Sequence, residues 1–234
     1  MIFLVLFIVL VGRSKMVYVS LLPTIFYILL KKRKKYLLVF LVLCAVGYPL
    51  LPTSVTKRVP YIIKYNEDPS SKLRVIFWGA GIEELKEKPI YGWKALDRKE
   101  ATLKYYKKHG TLEYVKTWFL NEKFYKLTTQ HYIATHNSYL QYLLDYGILG
   151  FAFFILVLVQ NMVMLFKVKF YKNKKDSKYI AFEIATKASL IAWLIQGMTD
   201  DNLNNKHMII TLTILFVFSC YLYKCCEKKE KIIK

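Results

Sequence analysis

Apolar residues in this chain fall in long unbroken blocks, with the polar residues gathered between them. Met1 to Gly12 is one such block, yet it is only about half the ~20 residues a bilayer-crossing helix needs. It lacks the basic start and small-residue cleavage site of a signal peptide, and it reads as the remnant of a longer helix. After Arg13-Ser14-Lys15, the run Met16 to Leu30 carries Pro23 at mid-span, which neighbouring helices can accommodate, and it ends on Lys31-Lys32-Arg33-Lys34-Lys35. Tyr36 to Leu51 follows at once and closes with Pro49 and Pro52, so the two runs predict a tight hairpin around the basic cluster.

From Pro52 to Thr135 the pattern turns hydrophilic, rich in Lys, Glu, Tyr and Trp, and the segment is too long to be a mere connector. Ser70 or Ser71 is expected to cap a helix running to about Lys86, with Leu73, Ile76, Phe77 and Ala80 on one face and Arg74 and Trp78 on another. Lys88-Pro89-Ile90-Tyr91-Gly92 then breaks it as a turn. A second helical region, about Ala101 to Tyr125, is aromatic on one side and basic on the other. Its aromatic residues, with Trp93, are expected to be mostly core. Ser138 to Phe166 predicts one helix whose last ~20 residues are apolar, stopping at Lys167-Val168-Lys169. Tyr179 to Met198 crosses next, Thr199 to His207 is a short polar turn, and Met208 to Tyr223 crosses back to a basic tail.

These elements predict an all-α fold, a polytopic membrane helical bundle of five to six spans with a large helical extracytoplasmic loop. Residues 1–51 are the N-terminal transmembrane helices, 52–135 the loop and 136–234 the C-terminal transmembrane helices. Composition sharpens the picture: 55 % of the residues are apolar and the formal net charge is +20. In a soluble protein such a charge would point to nucleic acid, but here the lysines abut the apolar blocks, which is the positive-inside pattern, and no nucleic-acid partner is expected. The short basic segments then lie in the cytoplasm with both termini, leaving the long loop and the Asp200 turn outside. The loop is itself basic, but loops longer than about 60 residues are exempt from the charge rule. No cysteine falls in it, so no disulfide framework is expected there.

The chemistry concentrates at Thr135 to Gly150. His136 stands at the foot of a helix that enters the membrane, and Asn137, Gln141 and Asp145 recur at every fourth position as one polar stripe on a greasy element. Polar groups there need partners or water. His136-Asn137, nine residues, Gly147, two residues and Gly150 together resemble the histidine signature of the O-antigen ligase and polymerase family, membrane glycosyltransferases that use a lipid-diphosphate-linked glycan. Other landmarks are similar: the large loop before the motif, Arg74 and Trp78 on a helix leading to Pro89-Ile90-Tyr91-Gly92, the Arg13-Ser14 pair, and Asp200 beyond the next outward span. The family carries more spans than are counted here, so the chain resembles the C-terminal half of a member. Its arginine commonly follows the serine, whereas Arg13 precedes Ser14, and Lys94 stands where a second glycine is often found.

The resemblance implies a bacterial inner membrane and transfer of an oligosaccharide from a polyprenyl-diphosphate donor to a lipid A core or another glycan acceptor. Ligation is placed ahead of polymerisation, and no residue separates the two. The donor already carries a good leaving group, so the protein has to hold phosphates, a task that suits arginine, and to activate a sugar hydroxyl, a task that suits histidine. His136 is the expected general base, and the positive end of the helix dipole favours its neutral form. Arg74 and Arg13 are the expected diphosphate clamp, Asn137 or Asp200 orients the ring or a sugar, and Trp78 lies against the substrate. No metal or other cofactor is invoked, because the histidines and carboxylates show no ligand spacing. The competing class is a truncated, non-catalytic membrane protein that binds or exports lipid-linked glycan.

Overall fold

The computed structural model describes residues 15–32, 35–47, 49, 67–93, 98–118, 134–168, 177–198 and 206–233. Among these residues the secondary structure is helical, without strands. The helices are α1 (Lys15–Lys32), α2 (Lys35–Gly47), α3 (Pro69–Glu87), α4 (Lys99–Lys108), α5 (Leu112–Trp118), α6 (Ser138–Lys167), α7 (Ser177–Gly197) and α8 (Lys206–Ile233). The chain divides into two compact units.

One unit comprises Met1–Ile63, Val157–Gln196 and Lys206–Lys234. Among the described residues three helices are long and apolar enough to cross a membrane: Ser138–Lys167, Ser177–Gly197 and, within α8, Ile209–Lys228. The apolar stretches of α1 and α2, Val19–Lys31 and Lys35–Gly47, are shorter. The expected count of five to six spans rests on those two and on Met1 to Gly12, which lies outside the described residues. Large apolar side chains face outward from these helices, with Leu38 70 % and Val217 59 % exposed, as on a surface covered by lipid. Polar groups turn inward: the buried Ser219 hydroxyl donates to Asn161 Oδ1 at 3.3 Å, joining α8 to α6. Lys187 of α7, also buried, pairs with Glu183 at 2.5 Å and donates to the Val168 carbonyl at 3.4 Å, just past the end of α6. A cation at that helix end answers carbonyls left without intrahelical donors.

The other unit, Lys64–Leu156 with Gly197–Asn205, folds the hydrophilic segment around its own core. Leu73, Phe77 and Ala80 of α3 pack with Tyr106 of α4 and Val115 of α5. The start of α3 departs from expectation. Asp68 is the N-cap, its carboxylate accepting the Ser71 amide at 2.8 Å, and Pro69 occupies the first helical position, where its missing N–H costs nothing. The expected helix over 101–125 is also interrupted: it splits at Gly110 into α4 and α5, and residues 119–125 lie outside the described residues. Of the aromatic residues expected in the core, Trp93 and Tyr106 are buried while Trp118 is exposed.

A third difference matters for the site. The expected single helix over 138–166 is kinked at Gly147, whose φ of 66° and ψ of −173° are open essentially to glycine alone. The cause is a backbone turn seated on the helix. Trp93 N donates to the Leu144 carbonyl at 2.6 Å, Ile148 N to the Pro89 carbonyl at 2.8 Å and Leu149 N to the Ile90 carbonyl at 3.4 Å. A Cβ on Gly147 would run into the Ile90 carbonyl, and one on Gly92, also at positive φ, into the backbone of Gly147 and Leu144. Gly147→Ala is therefore expected to lower the stability of the bilayer-embedded chain by at least about 2 kcal/mol, since the strain and the lost seat add. A denaturant midpoint within error of the parent would show that the turn does not need this contact.

Candidate active site

His136 sits in a segment whose backbone is fixed from both sides. The residue before it, Thr135, is 1 % exposed. Its amide donates to Gln141 Oε1 at 3.1 Å, its hydroxyl donates to the Asn137 carbonyl at 3.0 Å, and its carbonyl accepts the Trp78 indole N–H at 2.9 Å. The residue after it, Asn137, caps α6, its Oδ1 accepting from the amides of Tyr139 and Leu140, both at 3.0 Å. Between these anchors His136 takes a positive φ of 52°, a region in which histidine is found more often than most side chains. Its ring stacks on Phe77, with centroids 6.0 Å apart and planes 24° from parallel. Two successive residues of α3, Phe77 and Trp78, thus hold the ring of His136 and the backbone beside it.

The polar stripe expected on α6 is satisfied residue by residue. Gln141, 1 % exposed, accepts from Thr135 at one end of its amide and donates to both carboxylate oxygens of Asp145 at the other, at 2.9 and 3.0 Å. Asp145 in turn accepts from Arg98 Nη1 at 3.0 Å. Arg98 is buried at 1 % exposure, and its Nε donates to Glu84 Oε2 at 2.9 Å. Glu84, on the buried face of α3, also accepts a short hydrogen bond from the Thr102 hydroxyl of α4. Burial pushes the Glu84 carboxyl up from its ordinary value, while the Arg98 guanidinium and the Thr102 hydroxyl pull it back. The chain Thr135, Gln141, Asp145, Arg98, Glu84 therefore braces the start of α6 against α3 and α4 with partnered polar groups.

Of the residues expected to form the site, His136, Asn137 and Trp78 meet at the α3–α6 junction. Arg74 is half-buried one turn before Trp78 on α3, and among the described residues no side chain pairs with it. Arg13 and Asp200 lie outside the described residues. Sequence reasoning missed Arg98, Glu84 and Phe77 as site-forming residues. Glu84 had left a signal: the spacing Leu73, Phe77, Ala80, Glu84 sets it on the buried face of the helix. Arg98 left none, since Asp97-Arg98-Lys99-Glu100 reads as a solvated charge run.

Apolar helices long enough to span a bilayer define an integral membrane protein, and the braced polar segment carrying His136 at the start of α6 is its candidate site. The sequence matches the O-Antigen ligase family over residues 1–155, and the chain belongs to that family. Its members are glycosyltransferase-like enzymes of O-antigen and polysaccharide assembly, with lipid-linked glycan substrates and a membrane setting. The comparison with functionally curated proteins and the comparison with solved structures each return no match.

Removing Arg98 would leave the buried Glu84 carboxylate without its cation and take one donor from Asp145, and breaking a buried pair in this way costs about 3–5 kcal/mol. Arg98→Met is expected to lose that much stability at neutral pH. Without the guanidinium the Glu84 carboxyl is displaced further upward, so stability present below its unfolded value is lost as pH rises through the folded one; the deficit is therefore smaller at about pH 5 than at about pH 8. Adding Glu84→Gln should recover part of it. Unfolding midpoints across that range test this, and a deficit that grows toward acid would contradict it.

Proposed function

We propose that this chain transfers an oligosaccharide from a polyprenyl-diphosphate donor to a sugar hydroxyl at the extracytoplasmic face of a bacterial inner membrane. His136 is the general base in this reading. The acceptor oxygen attacks the anomeric carbon, its proton passes to the imidazole, the carbon–oxygen bond to phosphate breaks, and the diphosphate leaves with the bonding pair. Attack from the opposite face inverts the anomeric centre. Arg74 holds the diphosphate, joined by Arg13, and Asp200 or the amide nitrogen of Asn137 addresses the ring or a sugar. Trp78 acts through the Thr135 carbonyl, keeping His136 in place. Ligation to a lipid A core is placed ahead of polymerisation; both use the same base and clamp.

The observation that carries the reading is the economy of α3: the helix that fixes His136 through Phe77 and Trp78 also presents Arg74 with no partner among the described residues. A guanidinium so placed is suited to bidentate binding of phosphate oxygens, and a base held near a transferable hydroxyl contributes roughly 10²–10⁴-fold in rate. Nothing in this chemistry asks His136 to be deeply buried, and the ring is half-exposed.

His136→Asn is the informative substitution, because asparagine tolerates the same left-handed backbone and so separates chemistry from folding. The full chain carrying it, in its native membrane, should accumulate lipid-linked donor and transfer glycan about 10²-fold or more slowly. Arg74→Lys, which keeps the charge but loses the fork, should weaken donor binding. Undiminished transfer by His136→Asn would overturn the base assignment. Parent protein that binds donor without transferring it would instead support the non-catalytic reading.

A further inference from the structure

We propose that the Pro89–Gly92 turn is a wedge seated in the membrane interface, where lipid covers it together with the neighbouring outer surface of α6. In a hydrophilic segment with its own core, this turn points its two large side chains away from that core: Tyr91 is 80 % and Ile90 52 % exposed. The turn has little freedom to be elsewhere, because the Pro89 and Ile90 carbonyls accept from the amides of Ile148 and Leu149. Those hydrogen bonds put Ile90 and Tyr91 at the level of residues 148 and 149 along α6.

That level can be read from length. Ile148 to Lys167 at 1.5 Å per residue spans about 30 Å, the thickness of a bilayer's hydrocarbon core. With the Lys167 end at one boundary, Ile148 and Leu149 lie at the other. Both are about half exposed, 57 % and 48 %, and Phe153 one turn deeper is 70 % exposed, so this side of the helix has lipid as its natural cover. The turn extends the same surface sideways. Tyr146, 55 % exposed, and Tyr91 bring aromatic side chains with polar tips to the boundary, where such residues concentrate. Lys88, exposed at the start of the turn, sits with its ammonium 4.1 Å from the centre of the Trp93 ring, at the height where anionic headgroups attract cations. The apolar length of α6 and the hydrogen bonds to the turn suffice for this inference, which holds whether or not the chain transfers glycan.

The test is a benzophenone amino acid in place of Tyr91, an aromatic replacement at an exposed position, in the full chain reconstituted in vesicles of phosphatidylethanolamine and phosphatidylglycerol. The same photoprobe at Lys104, exposed on α4 away from the turn, is the reference. Illumination followed by mass spectrometry is expected to give at least about tenfold more lipid adduct at position 91 than at 104. Equal lipid labelling at the two positions, no lipid adduct at 91, or an adduct there to another protein would each overturn the inference.

Discussion

A polar stripe on a helix that enters a membrane has to be satisfied by the protein itself, and in this chain that requirement organises the site. Thr135, Gln141 and Asp145 each lie where water is scarce, and each is answered in turn until the series ends on the buried Arg98–Glu84 pair. Because the first member is the neighbour of His136, meeting the requirement also immobilises the backbone on which the imidazole stands. Stability and placement of the chemical group are thus the same set of hydrogen bonds.

The glycine contact works alongside this brace, and Trp93 at the end of the turn joins the two by donating its indole N–H to the Glu84 carbonyl. Without a Cβ on Gly92 or Gly147, the turn can reach the α6 backbone and take hydrogen bonds from amides that the kink leaves without intrahelical acceptors. The kink lies two residues beyond Asp145, so the braced segment and the apolar span meet there as separate pieces. Two parts of the His136-Asn137…Gly147 motif thereby have a structural explanation: the asparagine caps α6 and the first glycine makes room for a backbone contact.

Much of this was legible in the chain. Apolar blocks announced the long helices, the spacing of Leu73, Phe77 and Ala80 announced the buried face of α3, and His136-Asn137 announced the polar start of α6. What escaped reading has physical causes. Asp68 displaced the serines as cap because Pro69 moved the helix start forward, which local propensity alone does not decide. The kink was hidden because one glycine within an apolar run is compatible with a straight helix until a second segment docks on it. Arg98 was hidden because burial of a charge depends on carboxylates remote in sequence, 14 and 47 residues away.

The central claim is that Trp78 serves the site through the Thr135 carbonyl, holding His136 where a transferable hydroxyl can reach it. Trp78→Phe keeps an aromatic ring and removes only the N–H donor, so steady-state transfer by the membrane-embedded chain tests the claim directly. The account predicts a kcat lowered by about tenfold, the cost of one lost charge-neutral hydrogen bond at a positioned base, with KM for the lipid-linked donor unchanged. An unchanged kcat with a raised KM would contradict it, placing the indole on the substrate rather than behind the histidine.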